Sequence, residues 1–215
     1  MDKSNFTIDN TSSYENGLFG IPTTYEDSRI VVFPVRWEAT TSYGNGTSQG
    51  PDAILKASPQ LDLYLPDLPN HYEKGFHWHD IKNDIYTLNK MTKPIALNVI
   101  DAIEKSYSNF DTAETKRALE EINGASKRVN DIVYDVAQKA HSDGKILAIV
   151  GGDHSSPYGA IKCLCEKYDG RFGILHIDAH MDLRERYQGF EHSHASIMNN
   201  VLRIEKHRKV SYRLV

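Results

Sequence analysis

The sequence predicts an α/β protein built on a mainly parallel sheet, and three observations carry that expectation. Two continuous apolar runs, Arg29-Ile-Val-Val-Phe-Pro-Val35 and Lys145-Ile-Leu-Ala-Ile-Val150, have the β-branched, non-alternating character of strands covered on both faces. Between them Leu119, Ile122, Val129, Ile132, Val133, Val136 and Ala140 recur at helical spacing. After the second run come a helical segment and a further apolar strand, a unit whose length implies parallel pairing through a right-handed crossover.

Size and composition bound the rest. A chain of 215 residues suits one sizeable domain with a real core. Net charge is −4 with both signs mixed along the chain, and no basic stripe, RNA-binding signature or zinc-finger spacing is present, which argues against nucleic acid as a partner. The N-terminus, MDKSNFTIDNTSSYENG, lacks a signal-peptide core, and no apolar run could span a bilayer, so no membrane partner is expected. Cys163 and Cys165, two apart in a helical pattern, point in different directions and read as packing residues in a reducing compartment. A cytoplasmic soluble enzyme is the natural expectation.

In chain order, residues 1–28 read as a loosely ordered arm, with residues 29–215 forming part of one domain. Pro34 falls at the end of the first strand, where a lost ladder donor matters least. The Gly/Ser/Thr-rich loop Thr40–Gly50 follows directly and borders any site there, although nothing in it matches a phosphate loop. Pro51 opens a helix, with Ile54 and Leu55 facing inward. His77-Trp78-His79 could present two histidines on one face if extended, but no third ligand is near in sequence. Residues 97–107 predict a helix, and Asp111-Thr-Ala-Glu114 a capping box ahead of the long helix that Gly144 ends. The solvated face of that helix carries Glu120, Glu121, Lys127 and Arg128. Pro157 to Lys167 predicts the crossover helix, 172–178 the next strand, a helix runs to about Glu205, and Lys209–Val215 starts another strand.

Two stretches carry chemistry. Gly151-Gly152-Asp153-His154-Ser155 follows the second strand, and the two glycines let the backbone turn tightly. His176-Ile-Asp178-Ala-His180-Met-Asp182 follows the third, and while the chain stays extended its four polar residues share one face. Parallel strands put their carboxyl ends on one sheet edge, where open α/β sheets place ligands. His154, Asp178, His180 and Asp182 are therefore the candidate metal ligands, a nitrogen and oxygen set suited to Mn²⁺ or Zn²⁺. A cation held there would lower the pKa of bound water, and two cations sharing Asp178 would do so more strongly. His192 or His194 could then shuttle a proton to a leaving amine.

GGDHS at 151–155, HIDAHMD at 176–182 and SHAS at 193–196 together resemble the ureohydrolase family of arginases, agmatinases and related guanidino hydrolases. Arg36-Trp37 through Gly50-Pro51-Asp52-Ala53-Ile54 resembles that family's first strand, loop and helix, so the likeness runs from about residue 29 to the end. The resemblance implies a three-layer α/β/α sandwich and hydrolysis of a guanidinium carbon to urea and an amine by a dimanganese-bridged hydroxide. It implies that His154 and Asp182 bind one Mn²⁺, His180 the other, and Asp178 bridges them. Asp182 would also hold the hydroxide, and His194 would move the proton. Leu183, Arg184, Tyr187 and Gly189 look most like agmatinase-type members, which implies an agmatine-like substrate and a role in polyamine metabolism. Homo-oligomers are common among such proteins.

One departure stands beside the match. The family's later Ser-x-Asp-x-Asp motif and a still later glutamate have no counterpart after His194. The expectation from this is a family domain truncated on its C-terminal side, with four of six protein ligands, weak metal binding and doubtful turnover. Two other readings remain open: a non-catalytic metal-binding or interaction protein derived from the family, and a single-zinc amidohydrolase of the deacetylase kind.

Overall fold

The computed structural model describes residues 13–81, 84–105 and 112–204, and the backbone of 212–214. Strand β1 (Ile30–Val35) is the centre of a three-stranded sheet in the order β2-β1-β3. Both partners, β2 (Phe76–Trp78) and β3 (Ile146–Gly151), run parallel to it, with Ile30 opposite both Phe76 and Ile146. Both edges of β1 are thus paired, and both its faces are covered: Val31, Val32, Phe33 and Val35 are all buried. Among the described residues strand β3 pairs with β1 alone; it is partly covered rather than fully buried as its composition predicts, and Ile146 is exposed.

The main core forms where helix α3 (Ala113–Ser142) lies against this sheet. Val129, Val133 and Val136 meet Phe33, Val35 and Trp37, with Ala160 and Cys163 of α4 (Tyr158–Lys167) completing the cluster. Each large apolar side chain buried this way contributes about 1.5–3 kcal/mol. The face of α3 follows the predicted repeat, with Glu120, Glu121, Lys127 and Arg128 exposed. Its cap differs: the Thr112 hydroxyl accepts from the Thr115 N–H at 3.1 Å, while Asp111 lies outside the described residues. Cys163 and Cys165 are both buried.

Helix α2 spans Asp84–Lys105, starting well before residue 97 and passing through Pro94. Proline removes one helix donor, but tertiary contacts hold the helix on both sides. Asn89 and Lys93 bond to the segment around Glu38, and Ala96, Val99 and Ile100 pack on Ile122 and Phe190. Helix α1 (Gly50–Ala57) has Pro51 in its first turn as predicted, but Ile54 is exposed. Residues 13–28 of the predicted arm are anchored: Leu18 is buried, the Phe19 N–H donates to Ser58 Oγ at 2.8 Å, and its ring packs edge-on to Phe76. His77 and His79 share a side of β2 with ring centroids 5.6 Å apart, beside Tyr25.

Strand β4 is short (Ile174–His176) and pairs in parallel with β5 (Tyr212–Leu214) in a separate two-stranded sheet, not with β3. The expected β3–α4–β4 adjacency within one sheet is therefore corrected. Side-chain packing seats β4 on the helices: Ile174 packs with Tyr158 and Ile161 of α4 and with Ile197, Met198 and Val201 of α5 (Ile197–Leu202). The strand-and-helix composition with parallel pairing is as the sequence predicts.

Helices α3 and α4 cross at backbone contact, because a Cβ on Gly159 would stand 2.1 Å from the Asn130 carbonyl oxygen. Gly159→Ala is expected to destabilise by roughly 1–3 kcal/mol. Gly124→Ala, where a Cβ meets nothing within 4 Å on α3, should stabilise by about 1 kcal/mol. Urea unfolding midpoints of the two variants check both signs.

Candidate metal centre

The turn after β3 is built by close backbone approach. The Gly152 N–H donates to the Val35 carbonyl and the Asp153 N–H to the Trp37 carbonyl, each at 2.8 Å. A Cβ on Gly152 would lie 2.0 Å from the Trp37 oxygen, so glycine is required there. Asp153 is buried and accepts from the Ser155 N–H, the Ser155 hydroxyl and the Thr40 hydroxyl. Burial pushes its carboxyl above the ordinary range, against the pull of those hydrogen bonds. Asp153 is thus a fixture of the turn, and His154 is what the turn presents.

The second half comes from a loop. Strand β4 stops at His176, so period-two alternation does not extend to Asp178, His180 and Asp182. Instead the His180 N–H donates to Asp178 Oδ1 at 2.8 Å, curling the chain. That donor, with the imidazoles of His154, His176 and His180 nearby, holds the Asp178 carboxyl below the usual carboxylate range. Asp182 takes a left-handed φ of 49°, and its carbonyl accepts from the N–H groups of Met198 and Asn199 in the first turn of α5. The loop is therefore closed by the helix that follows the SHAS stretch.

His154, Asp178 and Asp182 come together as expected: His154 Nδ1 lies 2.6 Å from Asp182 Oδ2 and 3.4 Å from Asp178 Oδ2. His176 joins them. One donor atom from each of His154, His176, Asp178 and Asp182 lies within 4.8 Å of the others. The curl turns His180 outward; its side chain is 82% exposed, yet its Nδ1 stays 3.4 Å from the other Asp178 oxygen, Oδ1. Sequence reasoning placed His176 on the shared face but gave it no role. Its signal was its position as the last residue of the strand, where side chains still point inward. The donor set is two imidazoles and two carboxylates, largely sheltered from solvent, and its chemistry fits a borderline divalent cation such as Mn²⁺ or Zn²⁺.

Beside this cluster is a cavity of about 590 Å³ lined by His180, Asp182, Leu183, Arg184, Tyr187 and His194. His194 Nδ1 is buried with no hydrogen-bond partner among the described residues, and its ring stands edge-on to Tyr187 at 5.6 Å. The Arg184 guanidinium lies 5.0 Å from the Tyr187 ring. His192, the other candidate, is packed on Tyr158 at 5.2 Å and away from that lining; burial holds its pKa down. On the other side the Thr40–Gly50 loop is organised by Glu38, a residue the sequence reading passed over. Glu38 is buried, and its Oε2 accepts the Gly46 and Ser48 N–H groups at 2.9 and 3.0 Å. Lys93 Nζ donates to the Glu38 and Thr41 carbonyls at 3.0 and 2.9 Å.

Comparison with known proteins gives a consistent picture. The model of the arginase family matches residues 28–213. The N(1)-aminopropylagmatine ureohydrolase of Synechocystis sp. is 31% identical over 85% of this chain and 49% of that protein. The agmatinase of Bacillus anthracis is 26% identical over 82% of this chain and 48% of its own length. The crystal structure of the agmatine ureohydrolase of Thermoplasma volcanium overlays with a TM-score of 0.55 at 20% identity, covering 98% of this chain and 62% of that one. The chain thus spans about half the length of the curated relatives it matches.

Removing the Glu38 carboxylate leaves two loop N–H groups without their acceptor, a loss of about 1–3 kcal/mol if they stay buried. Glu38→Ala is expected to speed amide hydrogen exchange at Gly46 and Ser48 by at least about tenfold while leaving β1 protection unchanged, as read by exchange NMR.

Proposed function

The chain belongs to the arginase family, and on that premise we propose that it acts on a guanidino compound of the agmatine type, adding water at the guanidinium carbon to release urea and an amine, with manganese as its metal. The observation that carries this reading is the meeting of His154, Asp178 and Asp182 beside the cavity that also contains His194.

In this reading His154 and Asp182 would hold one cation and His180 the other, with Asp178 as a ligand they would share. Support for the bridging role comes from the two Asp178 oxygens, one facing His154 and the other facing His180, each at 3.4 Å. Cations bound there supply Lewis acidity, bringing the pKa of water toward neutrality. Asp182 accepts a hydrogen bond from the attacking water and fixes its direction. The guanidinium carbon gains an oxygen and loses its bond to the substituted nitrogen, and that nitrogen must be protonated to leave as an amine. His194 carries this proton; its ring is positioned by Tyr187, and its Nδ1 is not engaged elsewhere among the described residues. Arg184 and Tyr187 line the cavity where the far end of the substrate would lie. Two relatives carry names that specify aminopropylagmatine and agmatine, so an elongated, cationic guanidino compound is the substrate class proposed.

Among the described residues no helix is long and apolar enough to cross a membrane. A small-molecule substrate and a cytoplasmic setting complete the proposal.

The test is urea release from agmatine, guanidinobutyrate and arginine in the presence of Mn²⁺. Urea is expected from agmatine first. His194→Gln is expected to lower the rate by roughly 10²–10⁴-fold with Mn²⁺ uptake unchanged. Cation binding without urea from any guanidino compound would overturn the hydrolase reading in favour of a metal-binding member of the family.

A further inference from the structure

We propose that His176 is a metal ligand, so that the first divalent cation taken up by this chain is held by His154, His176, Asp178 and Asp182, with His180 left to a second and weaker site. The inference deepens the metal-binding part of the proposed function and rests on it, but it departs from the ligand set that the family resemblance implies, in which His176 has no part.

The first support is geometric. The donor atoms of these four residues lie within 4.8 Å of one another, and His180 is not among them. A tetrahedral ion with ligands at about 2.1 Å holds its donors about 3.4 Å apart. The contacts of Asp178 Oδ2 with His154 Nδ1 and His176 Nε2, at 3.4 and 3.7 Å, are near that spacing already. His176 is also the most sheltered of the group, with its side chain 4% exposed against 82% for His180. A buried imidazole at a strand end has little rotational freedom to lose on binding, whereas the exposed His180 ring must be ordered first.

The second support is electrostatic. Asp178 Oδ2 and Asp182 Oδ2 both converge on one nitrogen, His154 Nδ1. Two carboxylates sharing a site repel unless positive charge lies between them. A divalent cation among the four donors meets that need, whereas on the other side the 82% exposed His180 ring faces Asp178 Oδ1 at 3.4 Å. Two imidazoles and two carboxylates suit Zn²⁺, Co²⁺ or Mn²⁺ more than Mg²⁺ or Ca²⁺.

Co²⁺ alone serves as the probe, titrated into the full chain and followed by calorimetry and visible absorption. One equivalent is expected to bind more tightly than the next and to give an intense tetrahedral d–d spectrum. His176→Asn should weaken that first equivalent by at least about tenfold and alter its spectrum, whereas His180→Asn should leave it unchanged and weaken only the second. Retention of the first equivalent in His176→Asn, or its loss in His180→Asn, overturns the assignment of His176. Absence of any uptake by the unmodified chain overturns the metal-binding premise as well, so the two failures are told apart. Should His176→Asn not fold, pulsed EPR of the unmodified chain with one equivalent of Mn²⁺ decides: coupling to two imidazole nitrogens supports the assignment and to one overturns it.

Discussion

The contact between His154 and the carboxylates of Asp178 and Asp182 is the interaction on which the arrangement depends. It joins two sheets that share no ladder, β2-β1-β3 on one side and β4-β5 on the other. Each partner is also fixed by contacts of its own backbone. On one side Gly152 presses against the Trp37 carbonyl with no room for a Cβ, and buried Asp153 ties the turn to Ser155 and Thr40. On the other, the Asp182 carbonyl is gripped by the first turn of α5. Side chains so prepared need little further ordering to hold a ligand, which is the condition for a site that works through charge and position.

The surroundings are built to the same end. Burial of Glu38 looks costly in isolation, but its carboxylate satisfies two loop N–H groups, and Lys93 reaches from α2 to the carbonyls of Glu38 and Thr41. A polar loop rich in glycine and serine thereby acquires a defined base beside the GGDH turn, to which Thr40 bonds directly. Opposite it, Tyr187 and Arg184 form a stacked wall next to His194. The cavity between metal-type ligands and this wall is wide enough for a small cationic molecule.

Much of this was legible in the sequence, for physical reasons that can be named. Central burial makes β1 a continuous apolar run, and the repeat on α3 reports a face packed on that strand. Three of the four predicted ligands, His154, Asp178 and Asp182, meet because a strand–helix–strand unit returns both strand ends to one place. What could not be read was set by contacts distant in sequence or by loop geometry. The start of α2 at Asp84, well before the predicted residue 97, was not readable because the partners that hold the helix around Pro94, Glu38 among them, lie far away in sequence. His180 and His176 exchanged prominence because a single hydrogen bond from the His180 N–H to Asp178 ends the alternation that a strand would have continued. Ile146 is exposed on β3, which among the described residues is the last strand of its sheet, a property of sheet order rather than of composition.

On the proposed reading, the two carboxylates and their neighbouring imidazoles would hold a cation at the junction of the sheets. Its most direct test is the anomalous scattering of a crystal of this chain grown with Mn²⁺. The arrangement predicts a peak within coordination distance of His154, Asp178 and Asp182. A crystal whose strongest peak lies elsewhere, with His154 still bonded to Asp182, would contradict it.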